Sequence, residues 1–101
     1  MSTDILLDRA LHAIADPTRR RILQALKEGG SGSKTIGAKP GCLCAGEIEE
    51  RFHLTQPTIS HHMAILTKAG LVDATKQGQW MWYRRNEKAI RQVAKNLRGK
   101  L

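Results

Sequence analysis

The run from Thr55 to Gly70, T-Q-P-T-I-S-H-H-M-A-I-L-T-K-A-G, constrains this chain most, because it carries both a helix start and a helix stop. Thr55 can cap the N-terminus, Pro57 is tolerated in the first turn, and Gly70 suits a left-handed C-terminal cap. Ile59, Met63 and Leu66 recur at helical spacing and predict a stripe facing a core. The opposite face holds Ser60, His61, Ala64 and Lys68, small or polar and free of acid, with Gln56 and Thr58 at the N-terminal end. A helix anchored on one side and bare on the other can enter a DNA groove.

The rest of the chain places that helix. Asp4 to Ala15 reads as a first helix with Leu7, Ala10, Leu11 and Ile14 on one face. Asp16-Pro17 is a cap followed by proline at the first helical position, and a second helix runs to about Lys27. At least one of Arg19, Arg20 and Arg21 is expected to pair with a carboxylate rather than with phosphate, since three consecutive side chains cannot face one way. Residues 28 to 41 break the composition, with four glycines, two serines and a proline between Gly29 and Pro40. They predict a flexible loop, long for a helix-to-helix connection. Cys44 to Phe52 reads as a short third helix, with Ile48 and Phe52 inward, and His53-Leu54 turns the chain into the Thr55 helix. Two helices joined so briefly match a helix-turn-helix.

After Gly70, Leu71 to Lys76 and Gln79 to Arg84 read as two strands joined around Gln77-Gly78. Trp80 and Trp82 alternate with Met81 and Tyr83, and alternation alone leaves open which pair covers the core. Asn86 caps a last helix whose Ile90, Val93, Ala94 and Leu97 form an apolar stripe. The expected fold is mainly α with a small β-hairpin: a winged helix-turn-helix of five helices and a two-stranded wing, one domain over residues 1–101. The first and last helices lie outside the helix-turn-helix yet carry apolar stripes. In a domain this small, a homodimer through both is the economical expectation.

Charge fits a polyanionic partner: 17 Lys+Arg against 9 Asp+Glu give a net charge of +8. No stretch is apolar for the length of a membrane span, and a signal-peptide pattern is missing, so the expected compartment is the cytoplasm, with no membrane partner. The two cysteines, Cys42 and Cys44, stand two positions apart, too close for an easy direct disulfide. In a reducing compartment such a pair points to metal binding or redox sensing. Paired carboxylates, a nucleophile-base arrangement and a phosphate-binding glycine loop are all missing, which argues against an enzyme.

Four pieces together resemble the ArsR/SmtB family of bacterial repressors. A-D-P-T-R-R-R-I-L (residues 15–23) is similar to that family's second helix, and G-C-L-C-A-G-E-I (41–48) to its thiol box. T-Q-P-T-I-S-H-H-M (55–63) resembles its recognition helix, and G-Q-W-M-W-Y-R (78–84) its wing. The resemblance implies a homodimer that binds a palindromic operator in double-stranded DNA and lets go when an inducer binds. Position by position, Gln56, Thr58, Ser60 and His61 match the family's base-contacting residues. Gln can pair with adenine twice, and Ser or Thr with several bases. His62, nearer the core side, reads as a packing or capping histidine. Lys76, Gln77 and Gln79 flank the wing tip and are expected to meet DNA, Lys76 through phosphate. Arg84 and Arg85 suit a solvated surface as well as DNA.

Thiolates hold trivalent arsenic and antimony strongly. The family's arsenic box adds a third cysteine three residues after the C-x-C pair, where this chain has Glu47. Two thiolates remain, completed by an external thiol, a hydroxide or an organic group already on the arsenic. No cofactor is required; arsenic or antimony would act as inducer. Cys44 is expected at a helix N-terminus, where the dipole lowers a thiol pKa. The zinc and nickel members place Asp and His on the last helix, and residues 86–101 contain neither. Two alternatives stand beside this reading: the same repressor fold without a metal sensor, and a C-x-C thiol redox or metal carrier. The carrier lacks a βαβ pattern.

Overall fold

The computed structural model describes residues 3–29 and 42–101; the 28–41 loop of the sequence reading lies, from residue 30 onward, outside the described residues. The described elements run α1 (Thr3–Ile14), α2 (Pro17–Glu28), β1 (Cys42–Cys44), α3 (Ala45–Phe52), α4 (Gln56–Lys68), β2 (Val72–Gln77), β3 (Trp80–Arg85) and α5 (Glu87–Lys100). This is the expected winged helix-turn-helix.

The caps follow the chemistry of their residues. Asp16 Oδ2 accepts from the Arg19 amide at 3.0 Å and Asn86 Oδ1 from the Ala89 amide at 3.0 Å, opening α2 and α5. At α4 the capping position is Thr55, but its hydroxyl bonds Thr58 Oγ1 at 2.9 Å rather than a backbone amide. Gly70 ends α4 at φ 79°, where a side chain would be strained. The helix-turn-helix turn is made by His53, at φ 52° and the one non-glycine residue with positive φ among those described.

Ile22, Leu26, Leu43, Ile48, Ile59, Met63, Leu66, Leu71 and Val72 are the large side chains buried almost completely. They come from α2, β1, α3, α4, β2 and, in Leu71, the residue just before β2, so the helix-turn-helix and the wing share one core. α5 contributes no fully buried residue; Ile90 and Val93 pack on the core from outside.

The sheet has three strands, not only the two of the wing. Its order is β1-β3-β2, all antiparallel, with Leu43 opposite Tyr83 and Ala74 opposite Tyr83 from the other side. The C-L-C segment is an edge strand that the sequence reading did not assign, and its last residue, Cys44, stands at the expected start of the third helix as the cap of α3. β3 offers the segment a free row of backbone groups, and Leu43 between the cysteines fills the core. A two-residue connection, Gly78-Gln79, joins β2 to β3, with φ 62° at Gly78.

Among the described residues, the expected arginine–carboxylate pair does not form in the Arg19–Arg21 run. Arg19 is 7% exposed; its Nε donates to Ala13 O at 2.6 Å and its Nη2 to His12 O at 3.1 Å. Arg20 Nη1 donates to Ile14 O at 2.7 Å and Ala15 O at 3.1 Å. Two guanidiniums thus satisfy the carbonyls that α1 leaves open at its C-terminus. Arg85 is also structural, donating to Leu23 O at 3.1 Å and pairing with Glu87 at 2.5 Å, whereas Arg84 is exposed.

Arg19→Ala is expected to destabilise the fold by about 2–4 kcal/mol, because buried acceptors lose their donors. Arg19→Lys should recover less than half, since one ammonium does not span the same acceptors. Arg21→Ala, on an exposed side chain, should stay within about 0.5 kcal/mol. Urea unfolding midpoints measure all three.

Candidate nucleic-acid interface and its thiol pair

α4 is held by Ile59, Met63 and Leu66, each 1% exposed or less. Gln56, Thr58, Ser60, His61, Ala64 and Lys68 are exposed along its remaining surface, and no acidic residue occurs in its first turn. Its N-terminal end therefore presents amides, hydroxyls and an imidazole, the donors and acceptors that base edges and phosphates accept. Lys76, Gln77 and Gln79 are exposed at the wing tip, Lys76 and Gln77 on β2 and Gln79 in the turn.

His62 is half-buried, on the inner side of α4. Its Nδ1 lies 3.2 Å from Arg19 Nη1. Guanidinium nitrogens only donate, so Nδ1 must accept, which requires a neutral ring or at least an unprotonated Nδ1. Burial pushes the His62 pKa below its ordinary value; the Arg19 charge and His61 push the same way, and Asp16 opposes them. His62 thus belongs to the clamp joining α4 to α1 and α2. The sequence signal for the clamp was the arginine run itself, but nothing local paired it with a histidine 43 positions away.

Sheet register settles the alternation that sequence left open. Val72 is buried, and Val72, Ala74 and Lys76 share a face with Met81, Tyr83 and Arg85, so this is the core face. Burial raises the Tyr83 pKa accordingly. Trp80, Trp82 and Arg84 stand on the opposite face, where Cys42 pairs with Arg84 and Cys44 with Trp82. Both thiols therefore share one face of β1, with an indole and a guanidinium as cross-strand neighbours.

Cys44 is also the residue before α3, and it forms a reciprocal capping box with Glu47, whose Oε1 accepts from the Cys44 amide at 3.3 Å. The expected lowering of its pKa does not occur. Cys44 is 2% exposed, and burial raises the thiol above its ordinary value; the Glu47 amide pulls it down but is outweighed. Cys42 is half-buried, and neither sulfur is in a disulfide. Among the described residues no group of three His, Cys, Asp or Glu side chains could hold a metal ion. No described helix is long and apolar enough to cross a membrane.

A family model described as a helix-turn-helix domain matches residues 14–74. The transcriptional repressor SdpR of Bacillus subtilis is 36% identical over 80 residues, covering 79% of this chain and 76% of that protein. The arsenical resistance operon repressor of Staphylococcus aureus is 33% identical over 91 residues, covering 90% of this chain and 76% of that protein. A solved ArsR-like transcriptional regulator from Rhodococcus sp. RHA1 shares the fold, with a TM-score of 0.75 at 24% identity over 97% of this chain and 81% of that one.

The clamp predicts a pH dependence. An unfolded histidine titrates near 6.5, and folded His62 titrates lower. Below 6.5 the unfolded chain therefore binds a proton that the folded chain resists. Stability should be complete above that pH and should fall as pH drops toward the folded value. Asp16, held low by the Arg19 amide, adds its own loss only near and below 3.8. Urea midpoints between pH 7.5 and 5 should slope downward in wild type, and His62→Asn, which keeps an acceptor without titrating, should remove His62's share of the slope.

Proposed function

The chain belongs to the ArsR family of winged-helix, DNA-binding transcriptional regulators, and from that premise we propose that it is a homodimeric repressor released from its operator when Cys42 and Cys44 capture a thiol-seeking metalloid. The observation that carries the DNA-reading half is α4 itself, with three side chains sunk in the core and an exposed, acid-free face beyond them. Gln56, Thr58, Ser60 and His61 read base edges in this account. Lys76, with Gln77 and Gln79, holds the neighbouring backbone.

Dimerisation is supported by what one chain leaves uncovered. Ile5 and Leu6 of α1 are 46% and 48% exposed, and α5 keeps its apolar stripe without a fully buried residue. A second copy packed against both helices would cover these side chains and set two recognition helices for half-sites about 34–36 Å apart.

The sensing half rests on the thiol pair and on the likeness to arsenical resistance repressors. β1 is hydrogen-bonded to β3, the second strand of the wing, and Cys44 caps α3, the first helix of the helix-turn-helix. Drawing two sulfurs of one strand face onto a single atom bends that strand and takes the capping sulfur from α3. Both DNA-reading parts are then displaced from one point. The burial of Cys44 favours a second reading, a repressor of the same fold that senses no metalloid.

An operator recovered by selection from random duplexes, followed by fluorescence anisotropy, tests these readings. Release by arsenite, antimonite or an organic trivalent arsenical that is lost in Cys42→Ser and Cys44→Ser supports the sensor. Binding untouched by any of them, or by zinc and cadmium, supports the second reading, and no DNA binding overturns both. Gln56→Ala should lose about 1–3 kcal/mol of discrimination at one base position. Lys76→Ala should weaken all sequences alike and lower the salt slope by about one unit.

A further inference from the structure

The chain has two cysteines in all, and residues 30–41 contain no Cys, His, Asp or Glu. Within one chain, then, arsenic held at the pair has two thiolates and an open third position. Glu47 stands where a third thiolate would be, and its Oε1 is engaged by the Cys44 amide. What the structure places beside the thiols is an aromatic ring. Cys44 and Trp82 are direct cross-strand partners on the outer face of the sheet, which sets their Cβ atoms roughly 4.5–5.5 Å apart. Trp82 is on the central strand, half-buried, with Thr75 as its neighbour on the other side. A group carried on an arsenic bridging Cys42 and Cys44 would project beside the Trp82 ring.

We propose that the pair selects trivalent arsenic already bearing one organic substituent, with Trp82 as the surface on which that substituent packs. This rests on the sensor reading above and narrows its ligand to a mono-organyl arsonous acid, R–As(OH)2, aryl before alkyl. Capture forms two As–S bonds and breaks two As–O bonds. The two thiol protons leave with the two hydroxides as two molecules of water, and arsenic stays trivalent throughout. The As–C bond takes the third position, so the missing thiolate costs this ligand nothing. Inorganic arsenite must keep a hydroxide there and gains nothing from the indole. Half-buried Cys42 is the sulfur met first; Cys44 follows as it leaves its capping position.

The test uses the full chain with phenylarsonous acid, methylarsonous acid and arsenite, followed by intact-mass stoichiometry and indole fluorescence. One phenylarsenic per chain is expected, its mass that of the acid less two waters. The affinity order should be phenyl, methyl, arsenite, with phenyl favoured over arsenite by about fivefold or more. Trp82→Leu should weaken the phenyl ligand about fivefold and leave arsenite unchanged, and Trp82→Phe should restore most of the difference. Cys42→Ser or Cys44→Ser should abolish the two-water adduct. Arsenite binding as tightly as the phenyl ligand overturns the inference and leaves the sensor reading standing; so does a Trp82→Leu loss equal for both. No adduct with any of the three overturns the sensor reading as well. Where Trp82→Leu fails to fold, the wild-type preference for phenyl over methyl decides the matter, since both carry the As–C bond and differ only in what can pack on the indole; equal affinities for the two overturn the role of Trp82.

Discussion

A buried guanidinium whose hydrogen bonds go to carbonyls and an imidazole rather than to a carboxylate holds this domain's helices in register. Arg19 sits at the start of α2, reaches back to the open carbonyls of α1 and across to His62 on α4. A buried charge is costly unless its hydrogen bonds are met. Here the compensation comes from carbonyl dipoles and from a histidine kept neutral by burial and by the arginine itself. The residue that orients the inner side of the recognition helix is thus joined to the C-terminus of α1. The contact to His62 adds a directional bond to the packing of Ile59, Met63 and Leu66 in the core.

The second joint is β3. It carries the wing, fills the core through Tyr83, receives β1 along its free edge, and ends in Arg85, which ties it to α2 and α5. Because strand neighbours are set by backbone hydrogen bonds, side chains far apart in sequence become partners on one face. That is how Cys42 and Cys44 come to stand beside Arg84 and Trp82. It also means that the thiol pair adjoins both the wing, through β3, and the helix-turn-helix, through α3.

Much of the fold was legible because its signals are local. Asp16 and Asn86 cap as their side chains suggest, and Gly70 and Gly78 take the positive angles their turns need. The exposed face of α4 follows from the period of Ile59, Met63 and Leu66. His62 was legible only as an inward residue; its partner was not. The arginine run looked like ion-pair chemistry and proved to be helix-end chemistry, since carbonyl acceptors leave no mark in side-chain composition. The strand at Cys42–Cys44 was not legible for a related reason. A three-residue strand has too few positions for a period, and Cys44 also satisfies the pattern of a helix start.

The sequence by itself determined the order of the elements, the helix-turn-helix with its wing, the basic balance of charge and the face of α4 left for a partner. These depend on periodicity, caps and turn residues, which act over a few positions. The tertiary structure alone decided that Arg19 meets His62, that the face of Tyr83 rather than that of the two tryptophans meets the core, and that the cysteines lie on a strand. It also reversed the direction of the Cys44 pKa, because the amide at the α3 N-terminus acts on a thiol already withdrawn from water. Burial is a property of the packed chain, and desolvation at that sulfur outweighs the local pull that the sequence could show.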